Sequence, residues 1–311
     1  MTKTFKIFSG EASINLSKSI CRCLDCELGK VTVTHFSDGE FSVCFEESIR
    51  GNDVFIVQNT YPKMDNLMQL LLMVDAAKRA SAKSIVAVIP YFGWTSQDKK
   101  DKPRVSMGAK LVAKMLSVAG IDRLITMDLH ANQEKDFFDI PVDHLYASSV
   151  ILPYIKSLQL SNLAISSVDV CGSKRASFYA KALNLPLILF NKYRDKLNNV
   201  ATMQIIGDSK GKDVILIDDK VDTADTIINA ANLIKASGAS SVRVFASHCI
   251  MSDHTSEIIM GSALDEIVFT DSIPFKGKCG KIKQLSVAPV FAEAIRRVLN
   301  LKSISDLYLI K

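Results

Sequence analysis

A segment that the chain repeats is the feature that most constrains its fold. Residues 51–60 read GNDVFIVQNT and residues 211–220 read GKDVILIDDK, an offset of 213 − 53 = 160 between the matched strands. Both segments lead into a helical pattern and then into similar stretches rich in Lys, Ala and Ser, at 78–82 and 235–239. A chance likeness between two strand–helix–strand units is the alternative, but the shared G-x-D-V start favours duplication. The sequence therefore predicts two related α/β domains.

Short apolar strands alternate with longer helical patterns along the whole chain. The strand candidates are apolar throughout, as in strands buried on both faces, and they lie at 53–58, 84–89, 122–127, 162–166, 186–190, 213–218, 241–246 and 265–270. Helical patterns between them include 65–80, 106–119, 172–184, 222–237 and 287–299. This alternation predicts mainly parallel sheets flanked by helices. We predict two domains, at 1–147 and 148–311. The alternative for the last helix is that it packs back on the N-terminal domain.

Composition and charge exclude several classes of protein. Hydrophobic residues make up 48% of the 311 residues and charged residues 23%, which excludes a wholly disordered chain. The net charge of +5 suits a phosphorylated small ligand but is too small to indicate nucleic acid. The chain has no signal-peptide core and no window of about 18 uncharged apolar residues. We therefore expect a cytoplasmic protein that does not enter a membrane.

The seven cysteines are scattered, which is typical of reduced thiols in the cytoplasm. Cys21, Cys23 and Cys26 form the sequence CRCLDC, which at first suggests a metal site. This cluster has no matching downstream pair and no histidine at ligand spacing, which favours incidental thiols over zinc.

The segment VILIDDKVDTADT at 214–226 carries the most informative local motif. A buried strand is predicted to end at Asp218 and Asp219, and Asp222 and Thr223 stand where the next helix should begin. Free N–H groups at a helix start bind anions such as a phosphomonoester, and the acids upstream suit sugar hydroxyls. The alternative is a plain helix cap behind a buried strand. The chain contains neither a P-loop motif nor a G-x-G-x-x-G after a strand.

Longer motifs identify the chain as similar to the ribose-phosphate pyrophosphokinase family, and the resemblance covers essentially the whole sequence. Segment 214–226 resembles the ribose-phosphate loop of type I phosphoribosyltransferases. The other matching motifs are KIFSG at 6–10, FSDGE at 36–40, DNLMQLLLMVDAAKRASA at 65–82, PYFGWTSQDKKDKPR at 90–104, TMDLHANQ at 126–133, FFDIPVDHL at 137–145 and IKQLSVAPVFAEAIRR at 282–297.

The resemblance implies two tandem type I phosphoribosyltransferase-like domains, the first with the ATP segments and the second with the ribose 5-phosphate loop. It implies transfer of the β,γ-pyrophosphoryl group of ATP to the 1-hydroxyl of ribose 5-phosphate, which gives 5-phosphoribosyl 1-pyrophosphate and AMP for nucleotide biosynthesis. It also implies Mg²⁺ and a homo-oligomer, usually a hexamer, of the phosphate-activated bacterial type.

For ATP, the resemblance implies an adenine-receiving loop, contributed in the family to a neighbouring subunit, and a segment that faces the phosphates. The loop comprises Phe36, Asp38, Gly39 and Glu40, and the segment comprises Ser96, Gln97, Asp98, Lys99 and Lys100. His130 matches a histidine beside the metal and the polyphosphate, and Asp169 matches a Mg²⁺ ligand. The alternative for the adenine-receiving loop is a hairpin turn at Asp38-Gly39. The alternative for the segment that faces the phosphates is a solvated charged loop, and that for His130 is a structural histidine.

For ribose 5-phosphate and catalysis, the implied residues lie in the second half of the chain. Lys192 and Arg194 match a flexible catalytic loop whose cations neutralise charge on the transferred group; solvated loop charges are the alternative. The implied ribose 5-phosphate site comprises Arg194, Asp218, Asp219, Asp222, Thr223, Ala224, Asp225 and Thr226. A weaker similarity relates Ser48, Arg50, Ser303 and Ser305 to an allosteric interface.

Three residues depart from the family pattern. Ser96 stands where an arginine is usual, Asp225 where a glycine is usual, and Lys220 where an apolar residue is usual. We hypothesise that Lys220 offsets the charge of Asp225. We predict an active enzyme; the alternatives are a weakened homologue acting as a regulatory subunit, and a phosphoribosyltransferase that consumes the product.

Overall fold

The computed structural model describes residues 4–100, 102–169, 172–194, 201–251, 253–277 and 279–307. The chain divides into two compact units by its internal contacts. The first unit comprises Met1–Tyr146, Ser272–Pro274 and Val287–Lys311. The second unit comprises Ala147–Asp271 and Phe275–Ser286.

The first unit is built on a five-stranded parallel sheet with the strand order β1-β4-β5-β6-β7. The strands are β1 Phe5–Ser9, β4 Asp53–Val57, β5 Ser84–Ile89, β6 Arg123–Met127 and β7 Val142–Leu145. A separate antiparallel hairpin joins β2 Val31–His35 to β3 Phe41–Phe45. The helices are α1 Ile14–Leu24, α2 Met64–Arg79, α3 Gly108–Ala119 and, from the end of the chain, α8 Ala288–Leu299.

Burial on both faces of the central strands explains their continuous apolar sequences. Val54, Phe55 and Ile56 in β4 are all fully buried. Val54 and Ile56 belong to the core cluster that α2 and α3 cover, where Leu70 and Leu116 are also fully buried. A strand covered by side chains on both faces has no exposed position that favours a polar residue.

The second unit is built on a seven-stranded sheet with the order β10-β9-β8-β11-β12-β13-β14. All neighbouring strands are parallel except β9 and β10, which pair antiparallel. The strands are β8 Leu163–Ser167, β9 Leu187–Arg194, β10 Ala201–Ile206, β11 Asp213–Val221, β12 Ser241–Cys249, β13 Glu266–Thr270 and β14 Ile282–Leu285. The helices are α4 Ser148–Ser157, α5 Ser173–Leu183, α6 Asp225–Ala236 and α7 Asp253–Gly261.

The two sheets share one topology. The order β8-β11-β12-β13-β14 reproduces β1-β4-β5-β6-β7 strand for strand, and β4 and β11 are the strands of the sequence repeat. Each unit also has an antiparallel pair of strands at the equivalent place in its sequence. In the first unit β2–β3 lies between β1 and β4, and in the second unit β9–β10 lies between β8 and β11. The topology supports the predicted duplication.

The structure corrects two predicted boundaries in the repeat. β11 continues to Val221, so Asp218 and Asp219 lie within the strand and not at its end. α6 begins at Asp225 and not at 222. Ala224 has φ +67°, a left-handed conformation, so it cannot be part of a right-handed helix and the helix starts after it. Among the described residues, no helix combines the length and apolarity that a membrane crossing requires.

Candidate active site

The carboxyl ends of β8 and β11 bring acidic residues to one edge of the second sheet, because neighbouring parallel strands end on the same side. Asp169 follows β8 by two residues, and its Oδ1 accepts a hydrogen bond of 2.8 Å from the Gly172 amide. This bond fixes the orientation of the carboxylate just ahead of α5. Asp169 is therefore held in a defined position at the edge where the strands end.

Asp218 and Asp219 form a coupled acidic pair near the end of β11. The Asp219 amide donates to Asp218 Oδ1 at 2.8 Å. Burial, followed by the charge of Asp219, raises the pKa of Asp218 from an ordinary 3.8 to about 8. Near neutral pH the two carboxyls therefore retain a shared proton, so the pair can both donate to and accept from a hydroxyl group.

Arg175 is a residue of this site that the sequence analysis did not single out. It lies in α5, and its charge acts on Asp218, where it lowers the carboxyl pKa against the dominant effect of burial. Its position in the first turn of the helix after Asp169 is the signal that could have found it. A cation there balances part of the negative charge of the acidic strand end.

The loop at 222–224 differs from the predicted capped helix start. Asp222 and Thr223 precede the N-cap, and the N-cap residue is Ala224, whose methyl group cannot accept a hydrogen bond. The first-turn amides of α6 thus receive no side-chain cap from that position and point toward any anion bound there. Asp222, Thr223, Asp225 and Thr226 are exposed around this helix start.

Asp225 is the first residue of α6. A carboxylate in the first turn interacts favourably with the positive end of the helix dipole. The structure thus supplies a local reason for an acid at this position.

In the first unit, FSDGE forms the tip of the β2–β3 hairpin, so the hairpin-turn alternative describes its backbone correctly. The Phe36 amide donates to the Glu40 carbonyl at 2.8 Å, and the Glu40 amide donates to Asp38 Oδ1 at 3.0 Å. Gly39 has φ +95°, which an L side chain rarely adopts. The turn leaves the Phe36 ring 50% exposed and available for stacking on a planar ligand.

The segment Ser96–Lys100 follows β5 through a tight turn. Thr60 Oγ1 accepts from the Gly93 amide at 2.7 Å, and a Cβ on Gly93 would lie 2.1 Å from the Thr60 carbonyl oxygen. Only glycine permits this approach. Trp94 then has φ +62°, and the short 3₁₀ helix Thr95–Gln97 follows. Ser96, Gln97, Lys99 and Lys100 are exposed and Asp98 is partly buried.

His130 lies in the turn after β6 and is exposed. The residue before it, Leu129, donates its amide proton to Nε2 of the buried His144 at 3.0 Å. Asp128 has φ +39°, and the Ala131 amide donates to Oε1 of the fully buried Glu134 at 2.8 Å. His144 and Glu134 thus hold the turn on both sides of His130. Neither was singled out from the sequence, although both stand in or beside quoted motifs.

The remaining predicted residues are described only in part. The backbones of Lys192 and Arg194 lie in β9, paired with Met203 and Ala201, and their side chains fall outside the described residues. Ser48, Arg50, Ser303 and Ser305 are exposed. Ser303 lines a cavity of about 380 Å³ in the first unit, together with Arg123, Asp143 and Lys302.

Fold and site together define a class: a duplicated, mainly parallel-sheet α/β protein whose second copy places an acidic pair just before a helix start without a side-chain cap. The N-terminal domain of ribose phosphate pyrophosphokinase matches residues 5–120, and the phosphoribosyl synthetase-associated domain matches residues 173–309. The chain belongs to the ribose-phosphate pyrophosphokinase family and is an enzyme.

The relatives are similar along their whole length. The ribose-phosphate pyrophosphokinase of Porphyromonas gingivalis is 59% identical over 305 residues, which cover 98% of this chain and 97% of the relative. That of Helicobacter pylori is 50% identical over 305 residues, covering 98% and 96%. The crystal structure of phosphoribosylpyrophosphate synthetase from Mycobacterium smegmatis matches with a TM-score of 0.91 at 35% identity, covering 96% of this chain and 100% of that chain.

Proposed function

We propose that the enzyme transfers the β,γ-pyrophosphoryl group of ATP to the 1-hydroxyl of ribose 5-phosphate. The hydroxyl oxygen loses its proton and bonds to the β-phosphorus, the bond between the β-phosphorus and the oxygen that bridges to the α-phosphorus breaks, and AMP leaves. The single observation that carries the proposal for this chain is the start of α6, where Ala224 lets backbone amides face an anion beside an acidic strand end. Family membership supplies the reaction class.

For ribose 5-phosphate, the 5-phosphate would bind the amides and hydroxyls of the loop. The phosphate ligands in this proposal are the loop amides from Asp222 to Thr226, including those of Ala224 and Asp225, together with the hydroxyls of Thr223 and Thr226. Asp218 and Asp219 would bind the ribose hydroxyls, since a protonated carboxyl beside an ionised one offers both a donor and acceptors. The charge of Arg175 lowers the pKa of Asp218 and would favour the ionised member of the pair.

For ATP, adenine would stack on the exposed ring of Phe36, while Asp38 and Glu40 would accept from its exocyclic amine. Asp38 already uses Oδ1 within its own turn, so Oδ2 is the oxygen available to the base. The polyphosphate would meet the exposed cations Lys99 and Lys100, with Gln97 and His130 as hydrogen-bonding groups. Lys192 and Arg194 would stabilise the charge that builds on the transferred group.

The donor set suits a hard cation held largely by substrate oxygens. Among the described residues, no three His, Cys, Asp or Glu side chains gather as a metal cage. Mg²⁺ keeps several waters and commonly uses one or two carboxylates plus substrate phosphates, which fits the oriented Asp169. His130 would act mainly through a hydrogen bond, because Mg²⁺ prefers oxygen ligands. When bound, the cation would neutralise phosphate charge; Asp169 would hold and orient it.

The same proposal includes a homo-oligomer, a hexamer in the family pattern, in which the hairpin tip serves a neighbouring subunit, and a cytoplasmic location. Size-exclusion chromatography with light scattering tests the assembly. An isolated monomer that turns over at full rate would contradict the shared adenine site.

The decisive experiment measures AMP formation by the purified protein with ATP, Mg²⁺ and ribose 5-phosphate. We expect turnover that requires all three. Thr226→Ala should raise the KM for ribose 5-phosphate, whereas Asp208→Asn, an exposed acid paired with Lys212 outside the loop, should not. No turnover by a correctly folded oligomer would replace this proposal with the regulatory-subunit alternative.

A further inference from the structure

The C-terminal end of α1 forms a six-residue capping motif that contains three cysteines, two of which, Cys21 and Cys26, are its first and last residues. Asp25 is left-handed at φ 54° and ψ 50°, its amide donates to the Arg22 carbonyl at 3.4 Å, and the Cys26 amide donates to the Cys21 carbonyl at 3.1 Å. This is the Schellman arrangement, in which the first and sixth residues face each other and usually make an apolar contact. Here cysteines occupy both of these positions.

The equivalent helix of the second unit shows the ordinary form of this motif. α5 ends with a left-handed Asn184, whose amide donates to Lys181, and the Leu185 amide donates to the Ala180 carbonyl at 2.9 Å. The facing pair there is Ala180 and Leu185, both apolar. The first unit thus carries thiols at the two positions that the second unit fills with apolar side chains.

The two thiols influence each other. Cys21 is buried and Cys26 is partly exposed, both are free, and each acts on the pKa of the other. Cys23, between them in sequence, is exposed and belongs to no group of three metal-ligating side chains among the described residues. A disulfide requires Cα atoms about 4.4–6.8 Å apart with Cβ atoms facing each other, and the 3.1 Å backbone bond holds these two residues side by side.

We propose that Cys21 and Cys26 are a reversible dithiol–disulfide site that a low-molecular-weight disulfide such as glutathione disulfide oxidises. The Cys26 thiolate attacks one sulfur of glutathione disulfide, which forms a mixed disulfide and releases one glutathione thiolate. The Cys21 thiol then loses its proton, its sulfur attacks the Cys26 sulfur, and the second glutathione leaves. Two protein thiols and one glutathione disulfide give one protein disulfide and two glutathione molecules.

The order of attack follows from the environments of the two thiols. Burial, and next the charge and hydrogen bond of Cys26, raise the pKa of Cys21 to about 12. Burial also raises the pKa of Cys26, but the hydrogen bond from Cys21 opposes that shift and Cys26 is the more exposed sulfur. Cys26 is therefore the first nucleophile, and the exchange should accelerate as pH rises because only the thiolate reacts.

The disulfide would close the end of α1 where it meets the last helix of the same unit. Arg296 in α8 donates to the Cys23 carbonyl at 3.0 Å, inside the motif. A covalent bond across the motif prevents α1 from unravelling at that end, so oxidation should raise Tm and reduction should restore it. The cross-link restrains the unfolded chain as well.

The test incubates the reduced, full-length protein with glutathione disulfide at about pH 8 and about pH 9, since the thiolate fraction rises with pH, and maps the acid-quenched peptides by mass spectrometry. We expect a Cys21–Cys26 peptide lighter by two hydrogen atoms, loss of Cys26 alkylation and a higher Tm, all reversed by dithiothreitol. Cys23→Ser, the matched control on the same helix, should behave like the wild type. Cys26→Ser should lose the cross-linked peptide and the Tm shift.

Three outcomes would overturn the proposal. These are a stable glutathione adduct on Cys26 that Cys21 does not resolve, a bond from Cys26 to Cys23, and a cross-link that forms only after the protein is unfolded in urea. Cys26→Ala provides a second variant should serine perturb the buried contact, and native circular dichroism of both variants checks that the fold is kept.

Discussion

Nε2 of His144 accepts the amide proton of Leu129 at 3.0 Å, one residue before His130. A backbone N–H can only donate, so Nε2 carries no proton and the ring of His144 is a neutral tautomer with its proton on Nδ1. The side chain is 3% exposed and lies on β7, next to the strand that leads into the turn. His144 is therefore a positioning residue for the His130 turn.

Replacing His144 by phenylalanine should destabilise the first unit and disturb the turn. The Leu129 amide would lose its acceptor inside the protein, which costs about 1–3 kcal/mol. Urea unfolding measures the loss of free energy, and steady-state kinetics should show a larger effect on ATP than on ribose 5-phosphate. His144→Gln, whose amide oxygen can accept, should recover part of both. Equal behaviour of the two variants would show that ring packing, and not the hydrogen bond, matters.

Asp218 should make the ligand-free enzyme less stable as pH rises. Its pKa is raised from 3.8 to about 8, so between these values the folded state binds more protons than the unfolded state. The free energy of unfolding therefore falls across that window and levels off above it. Asp218→Asn removes the titration and should flatten the slope measured by urea unfolding. Asp222→Asn, an exposed acid of the same loop, should keep it; an unchanged slope in Asp218→Asn would contradict the assignment.

Lys220 and Asp225 should act as a compensating pair in the ribose 5-phosphate loop. A carboxylate near a bound dianion opposes binding, and a nearby cation offsets it. Lys220→Met alone should raise the KM for ribose 5-phosphate more than the same change does in an Asp225→Gly background. A double-mutant cycle on KM measures the coupling between Lys220 and Asp225. Equal effects of Lys220→Met in both backgrounds would contradict the compensation.

Gln58 occupies in the first copy the position of Asp218 in the second, since 58 + 160 = 218. It is fully buried: Nε2 donates to the Asn66 carbonyl at 3.2 Å and to Gln69 Oε1 at 2.9 Å, and Oε1 accepts from the Ala12 amide at 3.2 Å. Gln58→Glu should cost roughly 1–3 kcal/mol or more, because a buried carboxylate would face two acceptors. Urea unfolding measures this cost. Gln58→Met, a neutral variant of similar length, separates the cost of the buried charge from the cost of the lost hydrogen bonds.

The fold was largely predictable from the sequence. Strands that are buried on both faces have continuous apolar sequences, which made them recognisable. The match between 51–60 and 211–220 predicted two sheets of the same topology. The strands that the sequence analysis did not predict are β1, β7, β10, β14 and the two strands of the β2–β3 hairpin. β7 and β14 have four residues each, and β2 and β3 alternate half-buried with exposed residues, so neither group produces a long apolar run.

The motifs of the candidate site could be listed from the sequence, but their geometry could not. The helix start was predicted three residues early, because a left-handed Ala224 has no local sequence signal of the kind that glycine provides. Arg175 and His144 act through distant partners, Asp218 and Leu129. Such contacts depend on strand order, which motif spacing along the chain does not encode.

The bonds of Gln58 also bear on how the two copies could continue to diverge. A glutamine there is locked by Asn66, Gln69 and Ala12, and a Cβ on Gly10 would lie 2.3 Å from its side chain. Introducing an acid into the first copy by one substitution passes through a less stable protein, and stability is regained only if several neighbours change as well. The difference between the two copies at this position is therefore hard to reverse, because each later mutation that fits the glutamine raises the cost of an acid there.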